Sequence, residues 1–139
     1  MPDSPITAVL RALDALDVAA CVALFAPDGK LLTTDGRTAT GVEQVGAVLS
    51  DFMSALRGTT HAVSSEWAVE DGVFVAEMVA HYELRDFGRH GPYPRAIVLR
   101  HGPGGITDLR FYGSHELPLA TSTHPYQDVY AAGHWMPTL

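Results

Sequence analysis

The hydrophobic pattern of this chain changes period once, near Gly58, and that change limits the folds open to it. Before it, Ile6, Val9, Leu10, Leu13 and Leu16 recur three and four residues apart. Val42, Val45, Val48, Leu49, Phe52, Met53 and Leu56 repeat that spacing, which is the signature of one buried helix face. After it the period is two. His61, Val63, Ser65, Trp67 and Val69 alternate with Thr60, Ala62, Ser64, Glu66 and Ala68. Phe74, Ala76, Met78, Ala80, Tyr82 and Leu84 then form an apolar face, with Glu77, His81, Glu83 and Arg85 on the other. Helices first and long strands afterwards predict an α+β fold, with the helices on one face of a strongly bent sheet.

Local signals supply the boundaries. Ser4-Pro5 pairs an N-cap with a first-turn proline, and Asp17 caps a second short helix carrying Val18, Cys21, Val22 and Phe25. Pro27-Asp28-Gly29 predicts a turn, residues 30–34 a short strand, and Asp35-Gly36 the turn after it. Thr40-x-x-Glu43 reads as a capping box opening the clearest helix, with Gly58 as its stop. Asp71-Gly72 marks a hairpin. The Gly/Pro stretch 88–94 reads as a loop before a strand over residues 95–101, and the glycine-rich turn 102–105 leads to a last strand over 106–114. Residues 125–132 are expected to form one short helix in an irregular tail.

Composition removes whole classes of function. The chain has 139 residues, a net charge of −7 and one cysteine, so one domain (residues 1–139, core about 5–119) is expected without an internal disulfide. No uncharged run reaches the ~20 apolar residues of a membrane helix, and no export signal is apparent. Acidic charge without a Lys/Arg cluster argues against nucleic acid and anionic membranes as partners. The expected setting is the cytoplasm. The seven histidines show none of the helical spacings that hold a metal, so no metal and no cofactor are expected.

The stretch LDALDVAACVALFAP over residues 13–27, followed by Asp28-Gly29, resembles the opening of the nuclear transport factor 2-like superfamily, in its SnoaL-like polyketide cyclase branch. The similarity continues through Gly41 and Glu43, the hairpin at residues 69–72 and GGITDLRFYGSHELPL at residues 104–119. This resemblance implies a cone-shaped barrel: a strongly bent mixed or antiparallel sheet with about three N-terminal helices enclosing an apolar pocket. It also implies dimerisation through the sheet. Known active sites of the superfamily do not carry over. The ketosteroid isomerase positions fall near Val9, Ala96 or Ile97, and Thr33; the polyketide cyclase acid/base positions fall at Phe111 and Ile97. The arginine between two aspartates of limonene epoxide hydrolases has no counterpart.

The candidate chemistry therefore rests on this chain's own residues. His61 stands on the face expected to line the pocket, where a neutral imidazole can act as general base. The bland reading is a core histidine satisfied by a backbone carbonyl. Asp35 lies near the superfamily's base position, against the ordinary turn role of Asp-Gly. Tyr82, on the apolar face, can donate to a substrate oxygen or simply pack. Phe52, Met53, Trp67, Met78, Leu99, Leu109 and Phe111 are expected pocket walls, or plain core, with His115 as a further pocket candidate. The tail, residues 120–139, is aromatic enough to serve as a lid or dimer contact. The expected function is a cofactor-independent cyclase, isomerase or dehydratase acting on a small apolar oxygenated metabolite, such as a polyketide or terpenoid intermediate. The competing class is a non-catalytic small-molecule-binding or homodimeric interaction module.

Overall fold

A computed structural model describes residues 3–114. His115 and the expected tail helix lie outside the described residues. The first helix, α1 (Pro5–Asp14), starts as its cap signal predicts: the Ser4 hydroxyl accepts the Thr7 N–H at 3.1 Å. It buries Ile6, Val9, Leu10 and Leu13. Leu16 then takes a positive φ of 53° and turns the chain. Asp17 caps α2 (Val18–Ala23) by accepting the Ala20 N–H at 2.9 Å.

The strand β1 (Phe25–Leu32) begins earlier than the sequence predicts and runs through Pro27-Asp28-Gly29. Its pairing is interrupted between Phe25 and Lys30, so the turn residues serve as an irregularity within the strand. Gly29 is needed there, because a Cβ would stand 2.6 Å from the Ile106 carbonyl oxygen. After β2 (Thr38–Thr40) comes α3 (Val42–Ser54). The expected capping box is displaced. Gly41, at φ 86°, is the N-cap, and the Gln44 side chain, not that of Glu43, accepts the Thr40 N–H at 2.9 Å. The helix stops at Ser54, and Gly58 lies inside the next strand.

Four long strands follow: β3 (Leu56–Glu70), β4 (Val73–Leu84), β5 (Gly88–Gly102) and β6 (Gly105–Gly113). The open six-stranded sheet has the order β2-β1-β6-β5-β4-β3, and it is mixed because β1 pairs parallel to β6. The expected loop at residues 88–94 is strand. Leu84, Glu83 and Tyr82 on β4 pair with Gly88, Arg89 and His90, and a register shift passes Gly91 and Pro92 before Tyr93 meets Ala80. A partner with free backbone groups recruits even a Gly/Pro-rich stretch into its ladder.

The three helices cover one sheet face, and the main core lies between: Ile6, Val9 and Leu13 of α1, Val45, Leu49 and Met53 of α3, and Met78, Ile97, Leu99, Ile106 and Leu109 of the sheet. As the alternation in β4 predicts, Ala76, Met78, Ala80, Tyr82 and Leu84 face inward while Glu77 and Glu83 face solvent.

One expectation about faces is corrected. His61 and Val63 pair with Ala80 and Met78, on the inner face. Val63 then pairs with Met78 and Ser65 with Glu77, leaving Ser64 as an extra residue. A single-residue bulge reverses which face the following side chains occupy. Trp67 therefore pairs with Val75 on the outer face and is 46% exposed, and Val69 is exposed too. Trp67 does not line the interior with His61.

Candidate functional site

Side chains from α1, β3, β4 and β5 meet on the inner face. Asp14 ends α1, where the helix leaves the core, and its carboxylate reaches β3. One oxygen lies 2.7 Å from His61 Nδ1, and the other accepts the His61 backbone N–H at 3.2 Å. The two contacts fix the imidazole against the carboxylate. The His61 side chain is only 3% exposed, whereas that of Asp14 is 31% exposed. An ionised carboxylate accepts but does not donate, so Nδ1 must carry the proton in this bond. With the proton on Nδ1, the neutral ring presents its lone pair at Nε2.

Tyr82 stands beside the imidazole, its ring edge-on to His61 with centroids 6.2 Å apart. Phe52 of α3 packs on Tyr82 in the same manner at 5.9 Å, and the Tyr93 ring lies tilted to it at 6.0 Å. The Tyr82 hydroxyl accepts a long hydrogen bond, 3.4 Å, from Arg95 Nε.

Arg95 is a surprise of the interior. It follows Tyr93 and precedes Ile97 and Leu99 on the inner face of β5, opposite Met78 of β4 and Gly113 of β6. It is 4% exposed. Its guanidinium carbon sits 5.7 Å from the Tyr82 ring centre and 5.2 Å from that of Tyr93, a cation held against two aromatic rings. Nη1 donates to the Pro94 carbonyl at 3.0 Å, while buried Nη2 has no hydrogen-bond partner among the described residues. Gly113 makes room for it: a Cβ there would lie 2.7 Å from Arg95 Nη1, and the φ of +146° already disfavours any other residue.

Of the residues singled out from sequence, His61 and Tyr82 are brought together, with Phe52 against Tyr82. Met53, Met78, Leu99 and Leu109 are buried in the main core, and Phe111 packs against it. Asp35 is engaged elsewhere, in the turn between β1 and β2. Its carboxylate accepts the Thr33 hydroxyl and the Arg37 backbone N–H and lies 2.8 Å from Arg37 Nε. Arg37 in turn reaches Asp51 of α3 at 2.7 Å. Burial pushes the Asp35 carboxyl up, but the Thr33 hydroxyl and the charge and amide of Arg37 outweigh it, so its pKa falls below the ordinary carboxylate value. The Cys21 thiol is pushed up to about 12, by burial and then by the charge of Asp17, and stays protonated at neutral pH. Among the described residues no group of three or more His, Cys, Asp or Glu is placed to hold a metal ion.

Sequence reasoning passed over Asp14 and Arg95. Arg95 left a signal, since it falls in step with Ile97 and Leu99 and so had to point inward with them. Asp14 left a weaker one: it sits one helical turn beyond Leu10 at the edge of the buried stripe, where only the tertiary fold brings β3 within reach.

An open mixed sheet wrapped on one face by three helices, with a few polar groups such as His61 and Arg95 set among its interior side chains, matches the cone-shaped class shared by nuclear transport factor 2-like and ketosteroid isomerase-like proteins. Within that class the chain belongs to the SnoaL-like domain family, whose profile matches residues 6–109. Solved structures agree at the level of fold. A hypothetical protein with a ketosteroid isomerase-like fold from Catenulispora acidiphila, solved with trimethylamine, superposes with a TM-score of 0.76 at 22% identity, covering 99% of this chain and 100% of that one. A putative SnoaL-like polyketide cyclase from Shewanella denitrificans gives 0.70 at 12% identity, over 80% of this chain and 88% of its own. An epoxide hydrolase of M. tuberculosis gives 0.67 at 17% identity, over 79% and 80%. No curated protein gives a significant match. Among the described residues no helix is long and apolar enough to cross a membrane.

Proposed function

We propose that the protein is a cofactor-independent acid–base enzyme, acting as a cyclase, isomerase or dehydratase on a small, largely apolar, oxygenated metabolite. The observation that carries this reading is the Asp14–His61 pair, a carboxylate 2.7 Å from a buried imidazole on the inner face. Asp14 orients the ring, holds the proton on Nδ1 and stabilises the imidazolium that forms when Nε2 takes a substrate proton. In this reading Tyr82, edge-on to His61, donates its hydroxyl proton in a hydrogen bond to the substrate oxygen on which negative charge develops. Asp35 has no part in this reading, because its lone pairs serve the turn. A polyketide or terpenoid intermediate matches the apolar and aromatic surroundings.

The test begins with mass spectrometry of the protein as purified, to identify a co-purifying small molecule, followed by turnover assays on that molecule and its precursors. His61→Ala is expected to lower kcat about 10²–10⁴-fold while circular dichroism and Tm stay close to wild type. Unchanged turnover in a folded His61→Ala protein would remove the base. A ligand bound tightly but returned unchanged would favour the second reading, a non-catalytic binding module. That reading draws its support from the apolar residues at Val9, Ile97 and Phe111, where characterised relatives of the superfamily carry catalytic groups.

We further propose a homodimer formed through the outer sheet face, which presents Trp67, Val79 and Tyr112 to solvent. Burying such side chains between subunits is favourable at ~25 cal/mol per Å² of apolar surface. Sedimentation of wild type and Trp67→Glu tests it, with the variant expected to shift to monomer.

A further inference from the structure

We propose that Arg95 is the specificity-determining residue of this site and that the ligand it selects carries a carboxylate. The inference rests on the ligand-binding reading above, but not on the site being catalytic. Arg95 is 4% exposed, yet no described carboxylate pairs with it. A guanidinium cannot shed its charge by deprotonation, so burying it without a counter-charge is a standing penalty. The nearby rings of Tyr82 and Tyr93 offset part of that penalty through their π faces.

The donors of Arg95 define where an anion would be held. Nη1 is committed to the Pro94 carbonyl at 3.0 Å. Nε and Nη2 share one edge of the planar group, the edge that grips a carboxylate through two parallel N–H···O bonds. On that edge Nε makes only a 3.4 Å contact with the Tyr82 hydroxyl, and Nη2 is buried with no partner among the described residues. The Tyr82 hydroxyl accepts from Arg95 and keeps its own proton to donate. A carboxylate at this edge receives charge-assisted hydrogen bonds from Nη2, leaving the Tyr82 proton for the reacting oxygen. The ring of Tyr82 lies edge-on to His61, so the body of the ligand extends beside the imidazole. Gly113 is the second sign of a built site, since any side chain there would displace the guanidinium. The same positive charge disfavours a cationic ligand.

Three probes of similar shape test this on the full chain: benzoate, benzamide and benzyltrimethylammonium. Binding is read by the thermal midpoint and by the NMR signals of the His61 ring. Benzoate is expected to raise the midpoint and shift the His61 signals, with a Kd about tenfold or more below that of benzamide, while the cation has no effect. Arg95→Met is expected to fold with a midpoint at or above wild type and to lose the benzoate preference. Arg95→Lys, which keeps the charge without the fork, is expected to retain part of it. Equal binding of benzoate and benzamide by the wild type, or preference for the cation, overturns the proposal, and it does so whether or not Arg95→Met folds. So does an undiminished benzoate preference in a folded Arg95→Met protein. Failure of the enzymatic reading looks different: benzoate binds through Arg95, but no carboxylate substrate is turned over.

Discussion

Two arginines of this chain are set in opposite circumstances. Arg37, in the turn between β1 and β2, is partly exposed and lies between two carboxylates, Asp35 and Asp51, each within 2.8 Å. Arg95, in the interior, is buried against two tyrosine rings and has no carboxylate beside it among the described residues. The first is a finished network that ties a turn to α3. The second is unfinished among the described residues, and it is the place the proposed carboxylate ligand would complete. The same contrast separates the two aspartates. Asp35 spends its oxygens on neighbours in its own turn, whereas Asp14 spans 47 residues of sequence to hold one imidazole.

The contrast is sharpest in activity. Asp14→Asn preserves the shape of the contact but lets the side-chain amide hold the wrong imidazole tautomer, so kcat is expected to fall by about 10²-fold or more. Asp35→Asn is expected to leave kcat within about twofold, since its contacts lie in the turn. A comparable loss in both variants would erase the distinction drawn between them.

Stability should separate the arginines next, and with opposite signs. Replacing a buried, uncompensated charge by an apolar isostere is neutral or stabilising, so Arg95→Met is expected to gain up to about 1–3 kcal/mol in urea unfolding without ligand. Arg37→Met removes two partly exposed ion pairs and is expected to lose about 0.5–1 kcal/mol. If Arg95→Met proves the more damaging of the two, Arg95 is a structural residue.

The smallest effect is one of pH. The folded-state pKa of Asp35 is depressed. Its contribution is therefore present above the unfolded value of ~4 and is lost as pH falls through the folded value. Wild type is expected to exceed Asp35→Asn by about 0.5 kcal/mol at pH 7, with the gap closing below pH ~4. A gap that widens on acidification would show that Thr33 and Arg37 do not favour the ionised form.

Much of this molecule was legible in its sequence wherever a local signal and the tertiary fold agreed. The caps at Ser4 and Asp17 and the phase of β4 all stand where the spacing puts them. Disagreement arose where the fold supplied something the local sequence could not. Residues 88–94 have turn chemistry, but the end of β4 needed a partner and drew them into the sheet. Pro27-Asp28-Gly29 has turn chemistry too, and it became the irregular stretch of β1 between Phe25 and Lys30, the residues that pair with β6 on either side. His61 and Tyr82 were readable as inward-facing from alternation alone. The partner of His61 was not, because helix α1 and strand β3 are joined only by the way the helices fold back on the sheet. Arg95 was readable and passed over, an arginine in step with apolar neighbours on a strand.

The extra residue at Ser64 reaches beyond this one chain. It lets a single edge strand work in two compartments, giving His61 to the interior and Trp67 to the exterior. A relative that lacks the insertion would exchange those assignments for every position that follows. Comparisons across this point that omit the gap would match interior side chains to solvent-facing ones. In this family, the length of a strand can therefore determine what its residues do as firmly as their identity.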